Sequence, residues 1–208
     1  KPFFQTKFLC ADKSVIDVAI ASSIIDYGNS KAVQTVFYDI TVAKVAQDEL
    51  RKSEERYRSV FSHSPLGILH FDKKGIITDC NDEFATIIGA PREELVGFNM
   101  LLRVKDKVLK HVVQKCLVSG SSYYEDVYTS VLSGKSIPVI GRFNAIYSEE
   151  QKVIGGVGLV EDISERVKNE KLQKALFKIS ETASKDINMK ELYFELHQII
   201  KELMPAEN

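Results

Sequence analysis

Tyr38-Asp39-Ile40-Thr41 opens a charged, helix-prone run, Val42 to Val60, and Glu161-Asp162-Ile163-Ser164 opens a second, Glu165 to Ala183. The match extends upstream. Val33-Gln34-Thr35-Val36-Phe37 precedes the first aspartate, and Val153-Ile154-Gly155-Gly156-Val157-Gly158-Leu159-Val160 precedes the second. Further back, Lys13-Ser14-Val15-Ile16-Asp17-Val18 resembles Lys135-Ser136-Ile137-Pro138-Val139, with small differences in length. A self-match at so long a period points to two copies of one domain rather than a solenoid of short repeats. The second copy reads as whole and the first as its tail.

Between the two matches the pattern alternates. Gly67 to Phe71 and Ile76 to Cys80 read as short strands around Asp72-Lys73-Lys74-Gly75, a hairpin signal. Asn81-Asp82-Glu83 is suited to cap a helix carrying Phe84, Ile87 and Ile88 that Gly89 ends. Pro91-Arg92-Glu93-Glu94-Leu95 opens another short helix. Lys105 to Val118 reads as the longest helix of the stretch, with Val108, Leu109, Val112, Val113 and Cys116 apolar and Gly120 as its stop. Three longer strands follow: Tyr123 to Leu132, Ile137 to Tyr147 and Val153 to Glu161. Two strands, helices, then three strands predict an α+β fold, an antiparallel sheet covered by helices.

Residues 3–40 read as strands, with Val15 to Ile25 and Ala32 to Ile40 parted by the turn cluster Asp26-Tyr27-Gly28-Asn29-Ser30. Three strands are too few for an independent domain, so pairing with other sequence is expected. In the following run Val42, Ala46, Leu50, Ser53, Tyr57 and Val60 recur every three or four positions. Asp48/Lys52 and Glu54/Arg58 are i,i+4 pairs, and Thr41 is the expected N-cap. So narrow a stripe between charged faces suits a helix paired with a second helix. Leu172, Leu176, Ile179 and Ala183 repeat the pattern. Lys185-Asp186-Ile187-Asn188 breaks it, and Met189 to Met204 reads as one more amphipathic helix.

The 208 residues allow one or two domains. Acid and base are mixed to a net charge of -1, so no footprint for nucleic acid or an anionic membrane appears. Cys10, Cys80 and Cys116 lack pairing or CxxC spacing, which predicts reduced, mostly buried thiols and a cytoplasmic setting. No apolar run approaches the roughly 18–20 residues of a membrane span, and no direct membrane contact is expected of these residues. Both ends read as cut.

With these elements in place, residues 50–164 resemble a PAS sensor domain of bacterial signalling proteins. The residues that carry the resemblance are Ser53-Glu54-Glu55-Arg56-Tyr57-Arg58-Ser59-Val60-Phe61, Ser64-Pro65-Leu66-Gly67-Ile68, Asp79-Cys80-Asn81-Asp82-Glu83-Phe84, Ile88-Gly89, Glu94-Leu95-Val96-Gly97, and Gly155-Gly156-Val157-Gly158 through Asp162-Ile163-Ser164. Residues 1–41 resemble the last strands of a preceding PAS domain. Glu191-Leu192-Tyr193 through Leu203-Met204-Pro205 resembles the first helix of a GAF domain. The resemblance implies this organisation: a PAS tail (1–41), a linker helix (42–61), a complete PAS domain (62–164), a second linker helix (165–187) and a GAF entrance (188–208). It also implies a five-stranded antiparallel sheet with helices over one face, a ligand pocket beneath them, and output through the helix leaving the last strand. In that output joint the aspartates Asp39 and Asp162 are expected to bond locally, Ile163 to anchor, and the Thr41 and Ser164 hydroxyls to cap.

His111 stands where haem-binding relatives carry an axial histidine, but the flanking Lys110 and Lys115 and the missing motif argue against haem. Flavin-binding relatives need a reactive cysteine in an Asn-Cys-Arg-Phe-like motif, and Cys80 instead precedes Asn81. His197 lacks the sequence that follows a kinase phosphoacceptor histidine. The 155–158 glycines have no helix after them and suit close strand packing, not phosphate binding. Neither haem nor flavin is therefore predicted, nor any metal or catalytic set. Tyr124, Tyr128, Arg142 and Asn144, on the late strands, join His111 as pocket candidates, with strand alternation leaving open which of them face inward.

The reading is a sensory or signal-relay module that forms a homodimer through its linker helices and drives an output domain such as a histidine kinase or diguanylate cyclase. A small-molecule ligand is one partner it implies; the alternative is a ligand-free structural dimerisation module.

Overall fold

The structure is a computed structural model that describes residues 3–183 and 197–198. The chain divides into two compact units, residues 1–60 and residues 61–208.

In the first unit β1 (Phe3–Leu9), β2 (Val15–Tyr27) and β3 (Ser30–Asp39) form an antiparallel sheet in that order. The strands expected to need other sequence thus pair with one another, Val18 opposite Asp39 and Tyr27 opposite Ser30. Gly28 turns the second hairpin at φ +60°, a left-handed position that glycine adopts without a Cβ penalty. Val18, Ala19 and Ile20 are buried, whereas Phe4, Ile24, Val33 and Phe37 remain more than half exposed. Helix α1 (Thr41–Ser62) follows, and it buries none of its residues. Its apolar stripe lies open, with Val42 at 84% and Val60 at 66% exposure. Between residues of the helix the ion pairs are Arg51–Glu55 and Arg51–Asp48, at 2.8 and 3.7 Å, rather than the two i,i+4 pairs expected. Exposed pairs of this kind contribute about 0.3–0.5 kcal/mol each.

In the second unit β4 (Gly67–Asp72), β5 (Ile77–Cys80), β6 (Ser121–Thr129), β7 (Ser136–Tyr147) and β8 (Val153–Asp162) form one antiparallel sheet in the order β5-β4-β8-β7-β6. This is the five-stranded sheet expected. Four helices lie between β5 and β6 in the chain: α2 (Asp82–Ile88), α3 (Arg92–Leu95), α4 (Met100–Arg103) and α5 (Lys107–Ser119). Alternation sorts each strand, with Leu69, Phe71, Val139, Phe143 and Val160 in the core that the helices cover. Val113 and Cys116 of α5 are fully buried against it, while Val108, assigned to the apolar side, is 57% exposed.

One strand and two helices differ from expectation, β6 ending at Thr129 rather than Leu132. Helix α5 starts later because Asp106 is its N-cap, its Oδ1 accepting from the Val108 and Leu109 amides. Helix α4 was not anticipated; Asn99 caps it by accepting from the Leu102 amide. The glycines of β8 behave as close-packing positions. A Cβ on Gly155 would lie 2.2 Å from the Phe71 carbonyl oxygen, so β8 could not hold its place beside β4 with any larger residue.

Helix α6 (Ser164–Ala183) leaves β8. The break at 185–188 and the helix expected over 189–204 lie outside the described residues, apart from His197 and Gln198, which are helical and exposed. Among the described residues no helix is long and apolar enough to cross a membrane.

Candidate functional site

Between the sheet and its helices lies a cavity of about 60 Å³. The strands supply its floor through Leu69, Tyr124, Tyr128, Val139, Gly141, Phe143 and Val160. The helices and their connections supply its roof through Phe84, Ile88, Leu95, Phe98, Met100, Val104 and Leu109. The side wall is the β6–β7 connection, where Ser130 and Leu132 reach in. That connection is fixed from outside. The Ser133 hydroxyl donates to the Ile88 carbonyl at 2.6 Å, and Lys135 Nζ lies near the Thr86 and Ile87 carbonyls, so a turn between strands closes the C-terminus of α2.

Three hydroxyls are the polar groups of this wall. Tyr124 donates to Asp106 Oδ2 at 2.5 Å. Burial and the neighbouring carboxylate both push the Tyr124 phenol well above its ordinary value, so it stays protonated. Burial opposes the Asp106 charge, yet the Tyr124 hydroxyl and the two helix amides together hold its carboxyl below the usual range. Burial likewise raises Tyr128, against a hydrogen bond from the Val131 backbone. Ser130, 2% exposed, accepts from the Ser133 amide at 3.2 Å.

Of the residues singled out in the sequence, Tyr124 and Tyr128 line the cavity. His111 is exposed on α5, and Arg142 and Asn144 are exposed on β7 beside the buried Gly141 and Phe143. These three therefore face away from it. Ser130 and Asp106 were missed. The Asp-x-x pattern before an apolar run would have revealed Asp106 as a cap, whereas Ser130 carries no sequence signal. Cys80 and Cys116 are buried free thiols, and burial pushes Cys80 up to about 11. Among the described residues no group of His, Cys, Asp and Glu converges as a metal site would.

The floor of the cavity continues into the joint with α6. Val139, which lines the cavity, is the register partner of Asp162, and Val160 lies on the same strand as that aspartate. Asp162 Oδ1 accepts from the Ser164 amide at 2.8 Å; the buried Ile163 donates its amide to the Pro138 carbonyl and accepts at its own carbonyl from Val167. Arg166 then reaches Glu125 of β6 at 3.2 Å. In the first unit Asp39 accepts from the Thr41 amide at 2.9 Å, Ile40 donates to Asp17, and Lys44 donates to Ile40. The main-chain pattern is the same in both. The aspartate, not the hydroxyl, takes the first helix amide at both joints, which corrects the capping role expected of the Thr41 and Ser164 hydroxyls. Thr41 Oγ1 instead accepts from the Asp17 amide at 2.9 Å. Asp17 also pairs with Lys44 at 2.7 Å, a bond for which Pro138 and Val167 have no counterpart at the second joint.

A five-stranded antiparallel sheet cupping a cavity, with a helix leaving its last strand, is the architecture of a sensory domain. Residues 55–163 match the PAS fold, and the chain belongs to that family. It is similar to the sensor protein kinase WalK of Staphylococcus saprophyticus, 24% identical over 143 residues, which cover 67% of this chain and 23% of that protein. The chain thus spans about a quarter of the length of the curated relatives it matches. Among solved structures it is similar to the PAS domain of a Colwellia psychrerythraea protein, 20% identical with a TM-score of 0.47, over 53% of this chain and 97% of that one. It is also similar to a domain of a sensory box sensor histidine kinase/response regulator from Geobacter sulfurreducens, 20% identical with a TM-score of 0.41, over 54% and 96%. Residues 55–163 are a PAS sensory domain of the kind found in signalling proteins such as sensor histidine kinases.

Proposed function

We propose that this chain is a sensing and relay module that takes a small molecule into its cavity and passes the resulting strain through α6 to an output domain, such as a histidine kinase or diguanylate cyclase. It performs no chemistry of its own. One observation carries the reading: the cavity floor and the output joint are built on the same two strands, with Val139 lining the cavity and pairing with Asp162. Packed interiors transmit displacement rather than absorb it. A molecule that moves Val139 or Val160 acts on the Pro138–Ile163 hydrogen bond, and so on the first turn of α6. Asp162, Ile163 and Ser164 are the output residues of this unit, and Asp39 and Thr41 play the same part at the first joint. The chain works as a homodimer in which α1 and α6 pair with their copies. The exposed stripes Val42, Leu50, Tyr57 and Val60 on α1, and Leu172 and Leu176 on α6, support that arrangement. Residues 188–208 begin a GAF domain.

The test is pulsed electron paramagnetic resonance between copies spin-labelled at Lys174→Cys, in a Cys10→Ser background. The unaltered cavity and a Val160→Phe variant, which fills it, are expected to give different distance distributions. A monomer, or one distribution shared by both folded proteins, would overturn the proposal.

A further inference from the structure

We infer that the cavity holds a small uncharged molecule, mostly hydrocarbon, with one hydrogen-bond acceptor that takes the Ser130 hydroxyl proton; this rests on reading the cavity as the sensory site. Size comes first. One water needs about 10–15 Å³ of such space, so a cavity of about 60 Å³ has room for roughly four to six groups of that size. Charge comes second. No Lys, Arg, His, Asp or Glu lines the wall, and Arg142 and His111 are exposed elsewhere. An anion would sit there unpaired. A cation would fare no better, because Asp106, the carboxylate behind Tyr124, spends Oδ1 on two amides and Oδ2 on the phenol.

The polar anchor comes third. Tyr124 has given its proton to Asp106. Ser130 and Tyr128 each accept from a main-chain amide, of Ser133 and Val131, and among the hydrogen bonds of the described residues neither proton has an acceptor; Ser130, at 2% exposure against 8%, is the more deeply buried of the two. A buried hydroxyl with an unspent proton is costly, and a ligand oxygen presented to it removes that cost. The rest of such a ligand packs against Leu69, Phe84 and Phe143.

The test is a titration of the unaltered 208-residue chain, followed by methyl resonances, with cyclopentanone, its isostere methylenecyclopentane, butanoate and butylammonium. Transfer from water alone favours the hydrocarbon. Cyclopentanone binding at least fivefold tighter than methylenecyclopentane, with neither ion bound, is therefore the result expected. Ser130→Ala is expected to bring the ketone down to the level of the hydrocarbon and leave the hydrocarbon unchanged. Equal binding of the two neutral probes, or binding of either ion, overturns the ligand class and leaves the sensory reading standing. Ketone preference without any change in the α6 spin-label distances supports the ligand class and overturns the sensory reading. No binding by any probe, the result if the cavity holds water only, overturns both. The ranking in the unaltered chain decides the matter even where Ser130→Ala fails to fold.

Discussion

The Tyr124 hydroxyl donates to Asp106 Oδ2 at 2.5 Å, which ties β6 to the first turn of α5 through the residue that caps that turn. Leu109, one of the two residues whose amides Asp106 caps, also lines the cavity. A hydrogen bond to a charged group contributes about 1.5–3 kcal/mol. Tyr124→Phe is expected to lose a stability in that range and to speed amide exchange at Val108 and Leu109 more than elsewhere in α5. Denaturant midpoints and residue-resolved exchange read both effects; unaltered exchange at those two amides would refute the tie.

The same carboxylate sets part of the acid limb. Its folded-state pKa lies below the ordinary 3.8, so the group stabilises the fold above that value and the contribution is lost as pH falls through the lower, folded value. The stability gap between the natural chain and Asp106→Asn is therefore expected to be full at neutral pH and to close below about pH 3.8. Asp12, Asp17 and Asp39 are also lowered, so the chain as a whole destabilises in acid and the comparison has to be made as a difference. A gap that stays constant down to pH 2 contradicts the assignment.

Asn81 uses its whole amide. Its Oδ1 accepts from the Ile68 and Phe84 amides, and its Nδ2 donates to the Phe61 and Leu66 carbonyls, all between 2.8 and 3.0 Å. It is 2% exposed, so truncation strands four backbone groups where water enters poorly. Asn81→Ala is expected to cost about 2–4 kcal/mol, measured by urea unfolding, beyond the ~1 kcal/mol of an ordinary cap.

Gly155→Ala is expected to abolish folding of the 61–183 region or strip β8 from β4, because the nearest obstacle is the Phe71 carbonyl rather than a movable side chain. A soluble variant with native circular dichroism and melting temperature would show that the strands can part without penalty.

The thiols separate by burial. Cys80 is pushed up to about 11, chiefly by desolvation, and Cys116 is raised for the same reason. Cys10 is half-buried. Titration with a thiol-reactive disulfide at pH 7.5 is expected to show one fast thiol in the native chain and three after unfolding. Two or three fast thiols would mean the core opens on that timescale.

Much of the fold was legible because period and punctuation agreed: Asp72-Lys73-Lys74-Gly75, the Asn81 cap and the Gly120 stop each fall where the chain turns. Helix α4 was not, since four residues are too few to show a period. The cavity was harder. Tyr124 and Arg142 sit on strands of equal apparent quality, and only the observed register places one inward and the other outward. Ser130 is polar by type and buried by position, a combination no pattern announces.

The two helix joints share one bonding pattern and differ in the side chains around it. Common to both are two bonds from backbone to backbone and one carboxylate. The neighbouring side chains are Asp17 and Lys44 at the first joint, and Pro138 and Val167 at the second. A connector of that kind behaves as a standard coupling. The surrounding residues can change widely without loosening the joint, so long as the aspartate, the helix amide it takes and the two main-chain bonds stay in place.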